Sequence, residues 1–337
     1  MTKIDIFSGF LGAGKTTLIK KLIKESFAGQ KVVLIENEFG EIGIDGGFLK
    51  ESGIQINELN AGCICCSLVG DFRAALQQVV EQYHPDRIVI EPSGVGKLSD
   101  VIHAVENLHL EADGEVKLNS AVTVVDVLKC KMYLKNFGEF FKNQVEAAGT
   151  IILSRTDTKK ATPEKIEAAI ELIRELNPDA TIITTPVEDL GGQKILDTIE
   201  GMKIDLSHVE EEHDHCCDHE HHHDHDHEEH EHHHDHEHHH NHHHADEVFT
   251  SWGRETIRKY TREGLEKMLE ALSASEDYGI ILRAKGMLPA EDGTWIYFDM
   301  VPEETEIREG APEYTGRLCV IGSKLKEDKL AELFGLA

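Results

Sequence analysis

Short apolar, often β-branched runs recur through the first 200 or so positions: Ile4–Phe7, Val32–Ile35, Ile88–Ile90, Ala121–Val125, Thr150–Leu153 and Thr181–Thr184. Continuous rather than alternating apolar runs are what parallel strands need when both faces of the sheet are covered. Between the runs the apolar positions fall three and four apart. Leu68, Phe72, Ala75, Leu76 and Val79 form one such stripe, and Ile166, Ile170 and Ile173 another, each the buried edge of a helix. Strand alternating with helix predicts a doubly wound, mostly parallel α/β sheet over residues 1–204. The pattern lapses over 205–245 and resumes near Asp246. There Val248–Trp252, Gly279–Leu282, Trp295–Met300 and Leu318–Ile321 are expected strands, and Arg262–Leu272 and Glu327–Phe334 expected helices. This predicts a smaller α+β domain of ferredoxin-like type over 246–337.

Composition explains the gap. Residues 208–244 hold 20 of the 23 histidines, thirteen Asp or Glu, Cys216 and Cys217, and no Lys or Arg. With almost nothing apolar to bury, this segment is expected to be a disordered linker. Imidazoles beside carboxylates make loose sites for Zn²⁺, Ni²⁺ or Co²⁺; a solubilising spacer is the other reading. The whole chain carries 63 acidic against 34 basic side chains, a net −29. Such a surface repels nucleic acid and anionic membranes and favours cations as partners. No apolar run reaches the roughly 20 residues of a membrane helix. Met1-Thr2-Lys3 leads straight into a strand pattern with no signal-peptide core, and seven cysteines make no disulfide framework. A cytoplasmic setting is the expectation.

The first strand runs into Gly9-Phe10-Leu11-Gly12-Ala13-Gly14-Lys15-Thr16, followed by Thr17, a full phosphate-loop pattern between a strand and a helix. Glycines let backbone amides close around phosphate oxygens, and the helix N-terminus adds its dipole. Lys15 is placed to reach the β- and γ-phosphates, and the Thr16 hydroxyl to ligate Mg²⁺. A second acidic element is expected at a strand end, and Glu91 supplies it, with Gly94 just beyond. Guanine is usually read by Asn-Lys-x-Asp after a late strand. Here Ser154-Arg155-Thr156-Asp157 stands in that place, with Asp157 accepting from the base, Arg155 stacking on it and Ser154 replacing the Asn. GTP is therefore expected over ATP. A helix-capping role for the segment, and a P-loop kinase or ATPase, are the competing readings.

Cys63, Cys65 and Cys66 crowd three thiols into four positions ahead of a helix. A helix N-terminus favours thiolate, and thiolates this close call for a cation such as Zn²⁺, Ni²⁺, Co²⁺ or Cu⁺. Buried structural thiols or a redox disulfide are the alternatives; Cys130 and Cys319 are expected to be structural. Further ligands are sought in the loop after the second strand, where Glu36, Glu41 and Asp45 lie. That loop is where a P-loop GTPase carries its first switch, so its carboxylates can serve Mg²⁺, the transition metal or both. Asp45 and Glu41 are candidates to position the attacking water.

Taken together, Gly9–Thr17, Glu36-Asn37-Glu38-Phe39-Gly40, Gly62-Cys63-Ile64-Cys65-Cys66, Glu91-x-x-Gly94, the histidine-rich segment and Arg283-Ala284-Lys285-Gly286 resemble the CobW family of metal-handling P-loop GTPases along the whole chain. The resemblance implies GTP and Mg²⁺ at the phosphate loop and a Zn²⁺-like ion at the cysteines. It implies a metal-requiring client protein and a nucleotide-dependent pairing of two G domains. The function expected is a GTP-hydrolysing metallochaperone; a metal buffer centred on the linker is the alternative.

Overall fold

The computed structural model describes residues 1–36, 55–58, 69–107, 116–200, 202, 204, 206 and 248–337. The N-terminal part is built on seven strands: β1 (Thr2–Ser8), β2 (Val32–Glu36), β3 (Gln55–Glu58), β4 (Arg87–Glu91), β5 (Val116–Asp126), β6 (Thr150–Ser154) and β7 (Thr181–Ile183). They lie in the order β3-β2-β4-β1-β5-β6-β7, and each neighbouring pair is parallel. Every strand expected from an apolar run is present. β3 was not expected, because Gln-Ile-Asn-Glu offers one apolar residue in four.

Helices cover both faces, as a parallel sheet requires. On one side α1 (Lys15–Glu25) and α6 (Gly192–Ile199) bury Leu18, Ile19, Leu22, Ile195 and Ile199. On the other, α2 (Val69–Tyr83), α3 (Leu98–Glu106), α4 (Cys130–Glu146) and α5 (Pro163–Leu176) contribute Leu76, Val101, Ile102, Phe140 and Ile173. The period of two along a strand divides the cores: Val33 and Ile35 of β2 face the second, Val32 and Leu34 the first. Chain order reverses around β1, which has β4 on one side and β5 on the other. A crevice forms at such a switch point, beyond the carboxyl ends of the strands.

The C-terminal part runs β8 (Thr250–Thr256), α7 (Arg262–Ala274), β9 (Ile280–Pro289), β10 (Trp295–Val301), β11 (Glu304–Gly310), β12 (Gly316–Ser323) and α8 (Glu327–Phe334). Its five strands lie in the order β11-β10-β9-β12-β8, all neighbours antiparallel. β12 inserts between β8 and β9, the split β-α-β arrangement of a ferredoxin-like sandwich, and the β9–β10–β11 meander adds two strands beyond β9. The unexpected β11 holds a single apolar residue, Ile307, in Glu-Thr-Glu-Ile-Arg-Glu-Gly. An edge strand tolerates that polarity.

β12 shows why the two parts form one body. Leu318 and Val320 pack with Leu265, Leu269 and Phe334 under α7 and α8. Cys319 and Ile321, on the opposite face, join the core of the N-terminal sheet. Cys130 and Cys319 are buried, as expected of structural thiols. Among the described residues no helix is long and apolar enough to cross a membrane.

Candidate functional site

The chain leaves β1 through Gly9, Gly12 and Gly14, with φ of 138°, 71° and 104°. Gly14 is also the left-handed residue that precedes α1, a backbone setting that L side chains rarely adopt. Only glycine allows this path, which turns amides toward the crevice at the α1 N-terminus. Behind the loop, Phe10 stacks on Tyr133 and Phe137 of α4 at 4.3 and 5.6 Å and meets Phe249 at 6.3 Å. The Tyr133 hydroxyl, its pKa pushed up by burial, donates to Leu11 O at 3.3 Å. The loop is thus clamped on its apolar side and open on its polar side.

On the open side lie the expected residues of this site. The buried Lys15 donates from Nζ to Gly9 O at 2.8 Å. Thr16 donates from Oγ1 to the Glu91 carboxylate, 3.0 Å from Oε1 and 3.2 Å from Oε2. Adjacent strand ends bring Glu36 level with Glu91, and Glu36 level with Glu58 of β3. Gly94 sits so close to the phosphate loop that a Cβ there would lie 2.8 Å from Leu11 N. The fully buried Gln144 fixes that turn by donating to Gly94 O and Gly96 O at 3.2 and 2.8 Å.

The Ser154–Asp157 segment follows β6 on the far side of β1. Arg155 takes a left-handed φ of 60°, strained for a residue with a side chain. Its Nη2 donates to Gly12 O at 3.2 Å, its Nε lies 3.1 Å from Asp126 Oδ2, and its Nη1 pairs with Glu304 Oε2 at 2.6 Å. Asp126, level with Ser154 at the end of β5, is almost wholly buried. Burial pushes its carboxyl up, against a hydrogen bond from Leu128 and the cations of Lys129 and Arg155. Burial also pulls the Lys129 ammonium down, although Asp126 opposes this. Asp157 is exposed.

The phosphate loop, Glu36, Glu91 and Arg155 face a cavity of about 630 Å³, which Ser154, Asp157 and Asp126 do not line, in the range of small-molecule sites. Gly12, Gly14, Lys15, Thr16, Thr17, Lys20, Glu36, Glu91 and Arg155 form its N-terminal wall. The opposite wall comes from the C-terminal sheet: Arg283, Asp299, Val301, Glu304, Glu306 and Arg308. Asp299 accepts from Arg283 Nε at 3.0 Å. Sequence reasoning missed Asp126 and most of this second wall. Asp126 had a usable signal as the acidic end of the Ala121–Val125 run; Glu304 and Arg308 had none.

Of the metal candidates, Thr16 and Glu36 line the cavity. Glu41, Asp45, Cys63, Cys65, Cys66 and the 208–244 segment lie outside the described residues. Among the described residues no three His, Cys, Asp or Glu side chains gather into a metal site.

Comparison with known proteins follows the same division. A family model described as "CobW/HypB/UreG, nucleotide-binding domain" matches residues 3–184, and "Cobalamin synthesis protein cobW C-terminal domain" matches 249–336. The chain is 32% identical over 168 residues to "Zinc chaperone YeiR" of Escherichia coli (strain K12), covering 50% of each chain. It is 32% identical over 248 residues to "Zinc chaperone CobW" of Sinorhizobium sp, covering 62% of this chain and 69% of that one. The chain thus spans about half the length of the first of these relatives. Among solved structures, Zn(II)-bound YjiA GTPase from E. coli is 21% identical, covers 100% of this chain and 99% of its own, and gives a TM-score of 0.42. With a glycine loop at the switch point of a parallel sheet and both models matching in sequence order, the chain belongs to the CobW/HypB/UreG family.

Proposed function

We propose that the protein is a GTP-hydrolysing metallochaperone that takes a transition-metal ion as cargo, Zn²⁺ or alternatively Co²⁺ or Ni²⁺, and passes it to a metal-requiring client. The observation that carries the reading is the pairing of Lys15 and the Thr16–Glu91 contact at the mouth of the glycine loop. Lys15 and the amides of Gly12–Thr17 hold the polyphosphate and stabilise charge as the γ-phosphoryl leaves. A hydroxyl beside a carboxylate is the all-oxygen set that suits Mg²⁺. Thr16 and Glu91 would hold that ion, which neutralises phosphoryl charge when bound. Ser154, Arg155 and Asp157 select guanine, with the exposed Asp157 available to a base arriving from solvent.

Cys63, Cys65 and Cys66 hold the cargo, with Glu36 and Glu41 from the loop that follows β2. What supports this link is the place of Glu36 in the cavity beside the phosphate loop, at the end of β2 where the following loop begins. Asp45 is assigned to water positioning, and two G domains pair across nucleotide. The names of the relatives, zinc chaperones in both cases, favour Zn²⁺ as cargo.

The test is GTP turnover with and without Zn²⁺, Co²⁺ and Ni²⁺, in wild type and Cys65→Ala, with ATP as competitor. Metal is expected to change turnover or nucleotide affinity in wild type and not in the variant. Equal responses in both proteins, or equal use of ATP, would overturn the reading.

A further inference from the structure

The two walls of the nucleotide cavity differ in charge. The N-terminal wall sets Lys15, Lys20 and Arg155 against Glu36 and Glu91, a balance that favours a polyphosphate. The C-terminal wall reverses it, with Asp299, Glu304 and Glu306 against Arg283 and Arg308. The docked second domain therefore cancels the electrostatic advantage of the first.

The tip of the β10–β11 hairpin brings the two walls into contact. Val301 and Glu304 pair across the tip of the β10–β11 hairpin. Val301 lies against the phosphate loop so closely that a Cβ on Gly12 would come within 2.5 Å of its Cγ1. Glu304 takes Nη1 of Arg155 at 2.6 Å, while Nη2 of the same guanidinium donates to Gly12 O. The tip is itself held: Glu303 takes a left-handed φ of 70°, and its N–H donates to Ser273 Oγ at 2.9 Å.

We propose that this hairpin tip is a built-in competitor for nucleotide, in which Glu304 holds the Arg155 guanidinium that the nucleotide would otherwise engage. Nucleotide binding and docking of the C-terminal domain are then negatively coupled. By reciprocity, whatever frees Arg155 from Glu304 tightens nucleotide. Any partner that grips the β10–β11 edge would control loading of the site. The inference rests on Gly9–Thr16 being the nucleotide cradle.

A fluorescent GTP analogue with Mg²⁺, titrated into full-length wild type, Glu304→Gln and Glu303→Gln, tests the proposal. Glu303 sits one residue earlier on the same tip, but its pair with Lys160 at 3.2 Å is largely exposed and adds little to holding the hairpin. Glu304→Gln is expected to bind the analogue about fivefold more tightly, and Glu303→Gln like wild type. Equal or weaker binding by Glu304→Gln overturns the proposal while leaving the cradle intact. The same gain in Glu303→Gln overturns it too, since general charge would then explain the effect. Wild type that binds no analogue removes the cradle, and the proposal with it. Should Glu304→Gln fail to fold, hydrogen exchange of amides 301–308 in wild type decides. Saturating nucleotide should speed it at least severalfold, and unchanged or slower exchange overturns the coupling.

Discussion

The two ends of the parallel sheet handle buried charge in opposite ways. At the amino ends of the strands, Arg87 is 2% exposed and Asp5 fully buried. Arg87 pairs with Asp5, with Glu200 at 2.6 Å and with Gln30 at 3.0 Å, and lies over the Phe27 ring. Asp5 also accepts from Asn119 and Ser120 at 2.7 and 2.6 Å. At the carboxyl ends, Asp126 Oδ2, Lys129 Nζ and Arg155 Nε are buried without a well-aligned hydrogen bond, although Arg155 and Asp126 approach to 3.1 Å. One end is a closed network that joins strands. The other keeps charge close but incompletely satisfied, the condition in which a ligand gains most by arriving.

The comparison breaks most visibly at Arg87. Replacing it with Ala leaves the buried Asp5 without its cationic partner, which costs about 3–5 kcal/mol of stability. Urea unfolding should show this loss, while the folded fraction keeps its affinity for nucleotide. A loss below about 1 kcal/mol, within the ordinary range for a point substitution, would show that the amino-end network is not closed.

Lys15→Ala makes the reciprocal cut. Removing a preorganised charge from the site of a developing anion costs about 100- to 1000-fold in turnover. Its effect on unfolding should stay within about 1 kcal/mol, since Lys15 borders the cavity and Nζ donates to the loop carbonyls of Gly9 and Phe10. Steady-state GTP hydrolysis and a melt measured together would check it. A large stability loss with turnover retained would reverse the roles assigned to the two ends.

How much of this was legible follows from whether a role is local. Gly9, Gly12 and Gly14 announced themselves because left-handed backbone can be met by the residue itself, and the strand–loop–helix context lies within 25 residues. Glu91 was legible as the acid closing an apolar run. Asp126 ends such a run as well, but its importance comes from strand order, which sets it level with Ser154 across a separation only the fold closes. Glu304 was illegible for a stronger reason. It lies on an edge strand that buries little, and its partner Arg155 belongs to the other domain. Edge strands are polar by need, so a functional acid there looks like any other.

The finest test of the comparison is Glu200, the outermost member of the closed end, about a quarter exposed. Burial, the largest influence, works to raise its pKa. Hydrogen bonds and charge from Arg87 and Lys3 outweigh burial and hold the carboxyl below the usual glutamate range. A lowered carboxylate pKa stabilises the fold in full where the group is ionised in both states. Its contribution is therefore complete above the unfolded value of about 4.3 and fades as pH falls through the lower, folded one. Solvent screening limits it to about 1 kcal/mol. Urea melts of wild type and Glu200→Gln should differ by that amount at pH 7 and converge as pH falls below the usual glutamate range. A gap that holds constant through the acid range would mean that Glu200 contributes by packing, and that charge at the amino end is closed by Arg87 and Asp5 alone.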